Sequence, residues 1–284
     1  MVTISQLSTN LKILLKQNNI DDYIFETRCI LEHTLCISHE KMIANPDLAL
    51  SDEQVSLVQK ITRKRITGYP LQYILGEWEF FGLPFYVGEG VLIPRQDTET
   101  LVESVLNQVA STTSPSPHIL DLCSGSGCIA IALEKHLSSA KIGAVEYSDK
   151  AMEYLTRNIE LNRSKVTVYN GDVLNPKLCC NFKNIDIITS NPPYLTSEDM
   201  SVLQKEVSFE PEMALRGGAD GLLFYREITA IWKQSLKKGG MIFFEIGLNQ
   251  ERDVSQILIK NGFSDIETYP DLSGIIRVVS GVYK

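Results

Sequence analysis

Residues 119–133 read ILDLCSGSGCIAIAL. An apolar run broken only by Asp121 is followed by a turn of small residues holding Gly125 and Gly127, and then by a second apolar run. The first part has the hydrophobicity of a buried strand and the last part that of a helix. The glycines between them let the backbone turn sharply. The pattern then repeats. Strand-like runs HILDLC, KIGAVEY, KVTVYNGD, IDIITS and GGMIFFEIG are separated by helical stretches such as GCIAIALEKHL, AMEYLTRNIELN and LLFYREITAIWKQSLK. This alternation predicts an α/β fold, a parallel sheet covered by helices on both faces. SDIETYPD and GIIRVVSGVYK lack a helix between them, so they are expected to pair antiparallel at an edge and complete seven strands.

Upstream, residues 1–75 are expected to form a small helical domain. Leu7, Leu11, Leu14 and Leu15, and later Val55, Leu57, Val58 and Ile61, recur at helical spacing. Ser51 before Asp52 and Glu53 suits a helix N-cap with an acidic first turn, and Gly68 and Pro70 stop that helix. Arg63, Lys64 and Arg65 are expected on a solvated face. Residues 76–96, rich in aromatic and β-branched residues and punctuated by Gly82, Pro84, Gly88 and Gly90, predict a linking β-hairpin. TETLVESVLNQVA returns to helix and STTSPSP, 111–117, reads as a surface loop, so the sheet domain is assigned to 97–284.

The chain has 284 residues, 44% hydrophobic and 22% charged, in the range of globular domains. No apolar stretch reaches the roughly 20 residues that span a bilayer. MVTISQLSTNLK lacks the basic start and apolar centre of a secretory signal. A cytoplasmic protein without membrane contact is expected. The six cysteines show no paired C-x-x-C spacing and are expected as reduced thiols, with no metal site. A net charge of −8 and a single short basic cluster argue against a nucleic-acid surface.

The glycine turn does not meet the dinucleotide pattern G-x-G-x-x-G, because Cys123 occupies a first glycine position and Ala130, not glycine, follows three after Gly127. Two acids extend it. Glu146 ends the second strand of the repeat, where an acid can accept from ribose hydroxyls, and Asp172 follows the third, where a carboxylate can accept from an adenine amino group. Their joint position at successive strand ends points to an adenosyl ligand at the carboxyl edge of the sheet. The fourth strand ends in Asn191-Pro192-Pro193-Tyr194. Each proline fixes φ and removes an N–H, and the residue before a proline is pushed out of the helical region. The turn is therefore stiff and leaves acceptors free, with the Asn191 side chain adding another. Such acceptors suit a planar amino group, which they hold by both hydrogens.

Asp121, the turn Cys123-Ser124-Gly125-Ser126-Gly127, Glu146, Asp172 and NPPY together resemble class I S-adenosylmethionine methyltransferases of the amino-methylating kind. The resemblance implies a Rossmann-like methyltransferase sheet. Residues 123–127 would pass beneath the methionine part, Glu146 would hold ribose, Asp172 with Val173 would contact adenine, and Asn191 would sit beside the methyl. S-adenosylhomocysteine would be the product. Cys123 departs from the commoner glycine, and its torsion must still permit the turn.

By the same resemblance the NPPY turn serves enzymes acting on adenine N6, cytosine N4, guanine N2 or glutamine, so it does not choose among them. A nucleic-acid amino-methyltransferase stays open at this point. GYPLQYILGEWEFFGLPFYVGEGVLIPRQDTETLVE, 68–103, and FEPEMALRGGADGLLFYREI, 209–228, resemble the protein-(glutamine-N5) methyltransferases of the HemK/PrmC family. That family methylates the glutamine of the Gly-Gly-Gln loop in class-1 peptide-chain release factors. The implied roles are amide recognition by Asn191, Pro192, Pro193 and Tyr194, with Asn191, Pro192 and Tyr194 carrying the chemistry. Phe209, Glu210 and Pro211 would shape the substrate pocket. Pro94, Arg95, Thr98 and Glu99 match a stretch near the cofactor entrance, where Arg95 can equally be an interdomain salt-bridge residue. The helical domain would dock the release factor, and the chain is expected to be a monomer. Glu245 and Gln250 receive no chemical role.

Overall fold

The computed structural model describes residues 1–111 and 116–284; residues 112–115 of the expected Ser/Pro loop lie outside the described residues. Two compact units form: Met1–Gly76 with Gln204–Phe209, and Glu77–Leu203 with Glu210–Lys284.

The first unit contains α1 (Ile4–Gln17), α2 (Tyr23–Leu35), α3 (His39–Ala44), α4 (Asp52–Ile66) and α5 (Leu71–Leu75). Capping boxes start α1, from Thr3 and Gln6, and α4, from Ser51 and Gln54; each N-cap stabilises its helix by about 1 kcal/mol. Leu7, Leu11, Leu15, Ile30, Leu31 and Val58 meet in the core. Leu14 and Leu57 are exposed, because Leu15 and Val58 beside them take the inward positions of the stripe.

Arg65 corrects the expected solvated basic face. It follows Val58 and Thr62 along the buried side of α4, and it is buried with them. Its guanidinium donates Nε and Nη2 to Glu26 at 2.6 and 2.8 Å, and Nη2 also reaches Glu206 at 2.5 Å. A buried cation needs such partners, since desolvation otherwise costs several kcal/mol. The ion pair to Glu206, with Phe209 set edge-on to Tyr69 at 5.3 Å, ties Gln204–Phe209 to the helices. Lys64 lies over the Tyr69 ring at 3.5 Å.

The second unit opens with the hairpin β1 (Glu77–Phe80) and β2 (Leu83–Tyr86), turned by Phe81 and Gly82 at positive φ. Phe80 and Phe85 pack into the core of this unit. The strands β3 (His118–Leu122), β4 (Lys141–Glu146), β5 (Thr167–Asn170), β6 (Ile185–Ser190), β7 (Leu236–Glu245), β8 (Phe263–Pro270) and β9 (Ile276–Tyr283) form a seven-stranded sheet in the order β5-β4-β3-β6-β7-β9-β8. Neighbours from β5 through β7 are parallel, and β9 is antiparallel to both β7 and β8.

Helices α6 (Glu99–Ser111), α7 (Cys128–His136) and α8 (Asp149–Leu161) cover one face. The other face carries α9 (Pro176–Cys179), α10 (Leu223–Trp232) and α11 (Glu251–Lys260). Alternate strand residues serve the two cores: Ile119, Ile187 and Phe243 on the first, Leu120, Ile188 and Phe244 on the second. Burial on both faces explains why these strands read as unbroken apolar runs.

Two elements depart from the expectation. The helix expected to continue through Lys237 ends at Trp232, and β7 begins at Leu236, irregularly paired to β6 until Met241. Helix α11 was not anticipated, because only Val254 and Leu258 are buried along it and its sequence is otherwise largely polar.

Candidate active site

Strand order reverses between β3 and β6, and the carboxyl ends of these strands flank the crevice where open α/β sheets bind ligands. Two side chains clamp the strands together at this point. Thr189 donates its hydroxyl to Asp121 Oδ1 at 2.8 Å, and Ser190 donates to the Leu122 carbonyl at 2.8 Å. Asp121 is fully buried, and its Oδ2 has no partner among the described residues. Burial pushes its carboxyl up to about 7, opposed by the hydrogen bonds from Thr189 and Ser124.

The turn after β3 takes the conformation its glycines suggest. Cys123, Gly125 and Gly127 have φ of 60, 54 and 81°. A non-glycine residue in the left-handed region costs roughly 1–2 kcal/mol, so Cys123 meets the torsional demand at a price in strain. Gly127 answers a packing demand as well, because a Cβ there would lie 2.3 Å from Leu155 Cδ1. Burial raises the Cys123 thiol far above the usual range and pushes Cys128 up to about 12, which disfavours the thiolate form of both. Among the described residues no group of three or more His, Cys, Asp and Glu side chains is placed to hold a metal ion.

Glu146 organises the floor. Its Oε2 accepts from the Gly125 N–H at 2.7 Å, and Oε1 accepts from the N–H groups of Tyr147 and Ser148 at 2.8 and 2.7 Å. A carboxylate offers about four lone-pair sites. One therefore remains, on Oε2, for a ligand hydroxyl. Asp172 lies two residues beyond β5; its Oδ1 accepts from the Leu174 N–H at 2.8 Å.

A cavity of about 590 Å³ opens over these groups, large enough for a nucleoside-sized ligand. Cys123, Ser124, Gly125, Ser126, Glu146, Asp172, Val173 and Asn191 all line it, as do Pro193 and Pro211. Gly127 lies outside the lining, as the N-cap of α7. Carboxylates at two strand ends, apolar walls that include Val145, Val173 and Phe224, and a buried unpartnered carboxylate oxygen beneath the turn fit a cationic adenosyl ligand. Sequence reasoning did not single out Tyr147, Leu174 or Phe224 in this wall; Tyr147 stands out as a large exposed aromatic next to Glu146.

The Asn191-Pro192-Pro193-Tyr194 turn leaves β6 beside this cavity. Asn191 donates Nδ2 to Thr98 Oγ1 at 3.3 Å, which leaves its Oδ1 as the outward end of the amide. Among the described residues, no turn, loop or side-chain donor reaches the carbonyls of Asn191, Pro192 or Pro193. The exit of the turn is fastened to residues 215–217, where the Leu195 N–H donates to Leu215 at 2.9 Å and the Gly217 N–H donates to Leu195 at 2.8 Å. Gly217 has to be glycine, because a Cβ would sit 2.6 Å from Tyr194 Cα. Tyr194 is largely buried, which raises its phenol well above the ordinary range and keeps it neutral.

Glu210 turns both carboxylate oxygens to structural partners. Oε2 accepts from the Ile93 N–H at 2.9 Å, and Oε1 pairs with Arg95. It thereby holds the cavity wall that continues through Pro211, Glu212 and Met213. This also corrects the interdomain alternative for Arg95, whose partner lies in the same unit. Glu99 accepts from the Phe81 N–H at 2.8 Å and ties the hairpin to α6. Phe209 packs against Tyr69 in the helical unit, outside the cavity lining.

Residues 6–76 match the profile described as PrmC N-terminal domain, and residues 96–219 match that described as Methyltransferase small domain. A release factor glutamine methyltransferase from Thermodesulfovibrio yellowstonii is 40% identical over 267 residues, covering 92% of this chain and 93% of that protein. Another from Geobacter sulfurreducens is 38% identical over 268 residues, covering 94% and 92%. The solved T. thermophilus 16S rRNA N2 methyltransferase in complex with AdoMet and guanosine superposes with a TM-score of 0.51 at 17% identity, over 73% of this chain and 50% of that one, a likeness of fold. Matched at these identities over nearly its whole length, the chain belongs to the release factor glutamine methyltransferase family and is an S-adenosylmethionine-dependent enzyme.

Proposed function

We propose that the protein methylates the side-chain amide nitrogen of the glutamine in the Gly-Gly-Gln loop of class-1 release factors. The observation that carries this reading is the rigid turn beside the cavity, where the Asn191 NH2 is held by Thr98 and, among the described residues, no turn, loop or side-chain donor takes the Pro192 carbonyl. Two acceptors on a stiff backbone suit the two N–H bonds of a primary amide. The substrate class rests on relatives named for release factor glutamine methylation.

S-adenosylmethionine supplies an electrophilic methyl group and leaves as S-adenosylhomocysteine. Everything else falls to the chain. Glu146 and Asp172 hold the ribose and adenine portions, Cys123 to Gly127 run beneath the methionine portion, and Val173 closes the adenine side. An amide nitrogen is a poor nucleophile because its lone pair is delocalised. Holding both hydrogens turns the nitrogen toward the methyl and favours its pyramidal form as the N–C bond forms. Tyr194, neutral and packed against the core on the α10 face of the sheet, anchors the turn. The amide proton becomes acidic only upon methylation and then leaves to water, so no strong base is needed. Pro193 and Pro211 line the wall, and Glu210 holds it in place through Ile93 and Arg95.

We assign release-factor docking to Met1–Gly76, where Ile24, Phe25 and Ile43 are exposed around a separate cavity of about 550 Å³. The chain acts as a cytoplasmic monomer that needs no nucleic acid. No described helix is long and apolar enough to cross a membrane.

The test supplies labelled S-adenosylmethionine with a release factor, the same factor with its loop glutamine replaced, RNA, or DNA. Label is expected on the unaltered factor alone. Transfer to nucleic acid, or equal transfer to the altered factor, overturns the reading.

A further inference from the structure

Behind the Asn191 turn lies a carboxylate that the reaction as described does not use. Glu245 is the last residue of β7, whose Phe244 pairs with Ser190 at the end of β6, so it stands one strand across from Asn191. It is 2% exposed, and its Oε2 has no partner among the described residues. Thr98 and Asn191 are the polar neighbours that favour the ionised form of this carboxyl, and Asn191 Nδ2 donates to Thr98 Oγ1 at 3.3 Å. The three side chains form a closed cluster at the base of the turn.

With Glu245 ionised, their chemistry favours one arrangement of hydrogens. An ionised carboxylate only accepts, so the end of the Asn191 amide that faces it must be the NH2. Thr98 has a single hydroxyl hydrogen; giving it to Glu245 leaves the oxygen lone pairs to receive Asn191. An amide turned the other way would set its own oxygen against the ionised carboxylate, could be satisfied only by taking the Thr98 hydrogen away from Glu245, and would present N–H donors to a substrate that also brings N–H donors. With either partner removed, the two orientations approach equal energy and the substrate meets a mixture.

We infer that Glu245, with Thr98 as its relay, is a positioning residue that fixes the Asn191 amide with its oxygen toward the substrate. This rests on the amide-methylating function proposed above. The groups facing Glu245 are Asp97 beside Thr98, Arg277 on β9, Tyr194 in the turn and Tyr225 on α10; Arg277 is itself paired with Asp97 at 2.7 Å and Asp271 at 2.9 Å.

The test compares wild type with Glu245→Gln, Thr98→Val and Thr98→Ser on a release factor, measuring kcat, KM, cofactor affinity and the pH dependence of kcat. Glu245→Gln keeps the shape but replaces one of the two accepting oxygens with a donating NH2, so the cluster no longer dictates one orientation of Asn191, and is expected to lower kcat by about 100-fold, the scale for losing one oriented group at a reacting centre. Cofactor Kd should stay within about threefold, a change worth under 1 kcal/mol. Burial raises the Glu245 carboxyl to about 7, so wild-type kcat should fall as pH drops below that value, and Glu245→Gln should lack this limb. Thr98→Ser should retain near-normal kcat, whereas Thr98→Val should lose about tenfold by the same scale. The Thr98 pair decides the matter if Glu245→Gln does not fold. Normal kcat in Glu245→Gln or Thr98→Val, or an unchanged pH limb in Glu245→Gln, overturns the inference while the wild-type activity stands. Failure of the wild type to methylate the factor overturns the functional reading instead.

Discussion

The side-chain amide of Gln250 donates Nε2 to the main-chain carbonyl of Tyr194 at 3.2 Å. Its other end accepts from the Gly247 N–H at 2.9 Å and from the Tyr225 hydroxyl at 3.4 Å. One side chain therefore ties the loop after β7 to the exit of the Asn191 turn. Gln250→Ala leaves a carbonyl and an N–H without these partners, a loss of about 1–3 kcal/mol. Gln250 does not line the cavity, so its loss should reach the reaction through the turn. The expected outcome is a lower Tm and about tenfold lower kcat, 1.4 kcal/mol in the barrier, with cofactor affinity little changed. A variant with full kcat would show that the turn holds its shape without this brace.

Gly217 and Gly262 make a paired test of whether the turn's position, rather than general stability, sets the rate. At Gly217 an added Cβ meets Tyr194 Cα at 2.6 Å and the Pro193 carbonyl oxygen at 2.8 Å, both backbone atoms of the turn. At Gly262 there is open space, but φ is +93°. Gly262→Ala should cost about 1–2 kcal/mol in torsional strain with normal kcat. Gly217→Ala should depress kcat by at least tenfold even when compared at equal fraction folded. Denaturant melts alongside single-turnover rates distinguish the two.

Much of this architecture is written locally. The strand-turn-helix at 119–133 declares the sheet, and Cys123 at φ 60° adopts the torsion that its place in the turn demanded. The residues that line the cavity are legible for the same reason: Glu146, Asp172 and Asn191 sit at or just beyond the ends of strands whose pattern is clear. Contacts between distant residues are not legible in this way. Thr98 meets Asn191 across 93 positions of chain, and Gln250 meets Tyr194 across 56. Nothing periodic marks such pairs. Arg65 misleads for a related reason, because a charge count assigns it to solvent, while its helical register with Val58 and Thr62 buries it and its partners Glu26 and Glu206 lie far away in sequence.

The Glu210 and Arg95 pair should be energetically coupled. Glu210 is buried and also accepts from the Ile93 N–H, whereas Arg95 is partly solvated. Glu210→Ala strands a buried donor and a cation at once, and is expected to cost about 2–3 kcal/mol. Arg95→Ala should cost less, because its carboxylate partner keeps the Ile93 N–H. A double-mutant cycle should return a coupling of about 1 kcal/mol. Additive losses would mean that the pair merely coexists, and that the wall from Pro211 onward is held by the Ile93 bond alone.

Asp121 and Glu245 set the pH dependence of stability. Both are fully buried carboxyls raised to about 7 from ordinary values near 4, chiefly by desolvation. Between those values the native state binds protons that the unfolded chain has released, so the slope of unfolding free energy with pH is negative. The contribution is greatest below about pH 4, declines as pH rises to about 7, and is flat above. Asp220, held down to about 2 by Arg226, works oppositely and only at the acid extreme, where its stabilisation is lost as pH falls. Denaturant midpoints without cofactor should therefore fall from pH 5 to pH 7, and Asp121→Asn should flatten part of that decline. Stability that rises over this interval in the wild type would mean that both carboxyls ionise in the folded protein at ordinary pH.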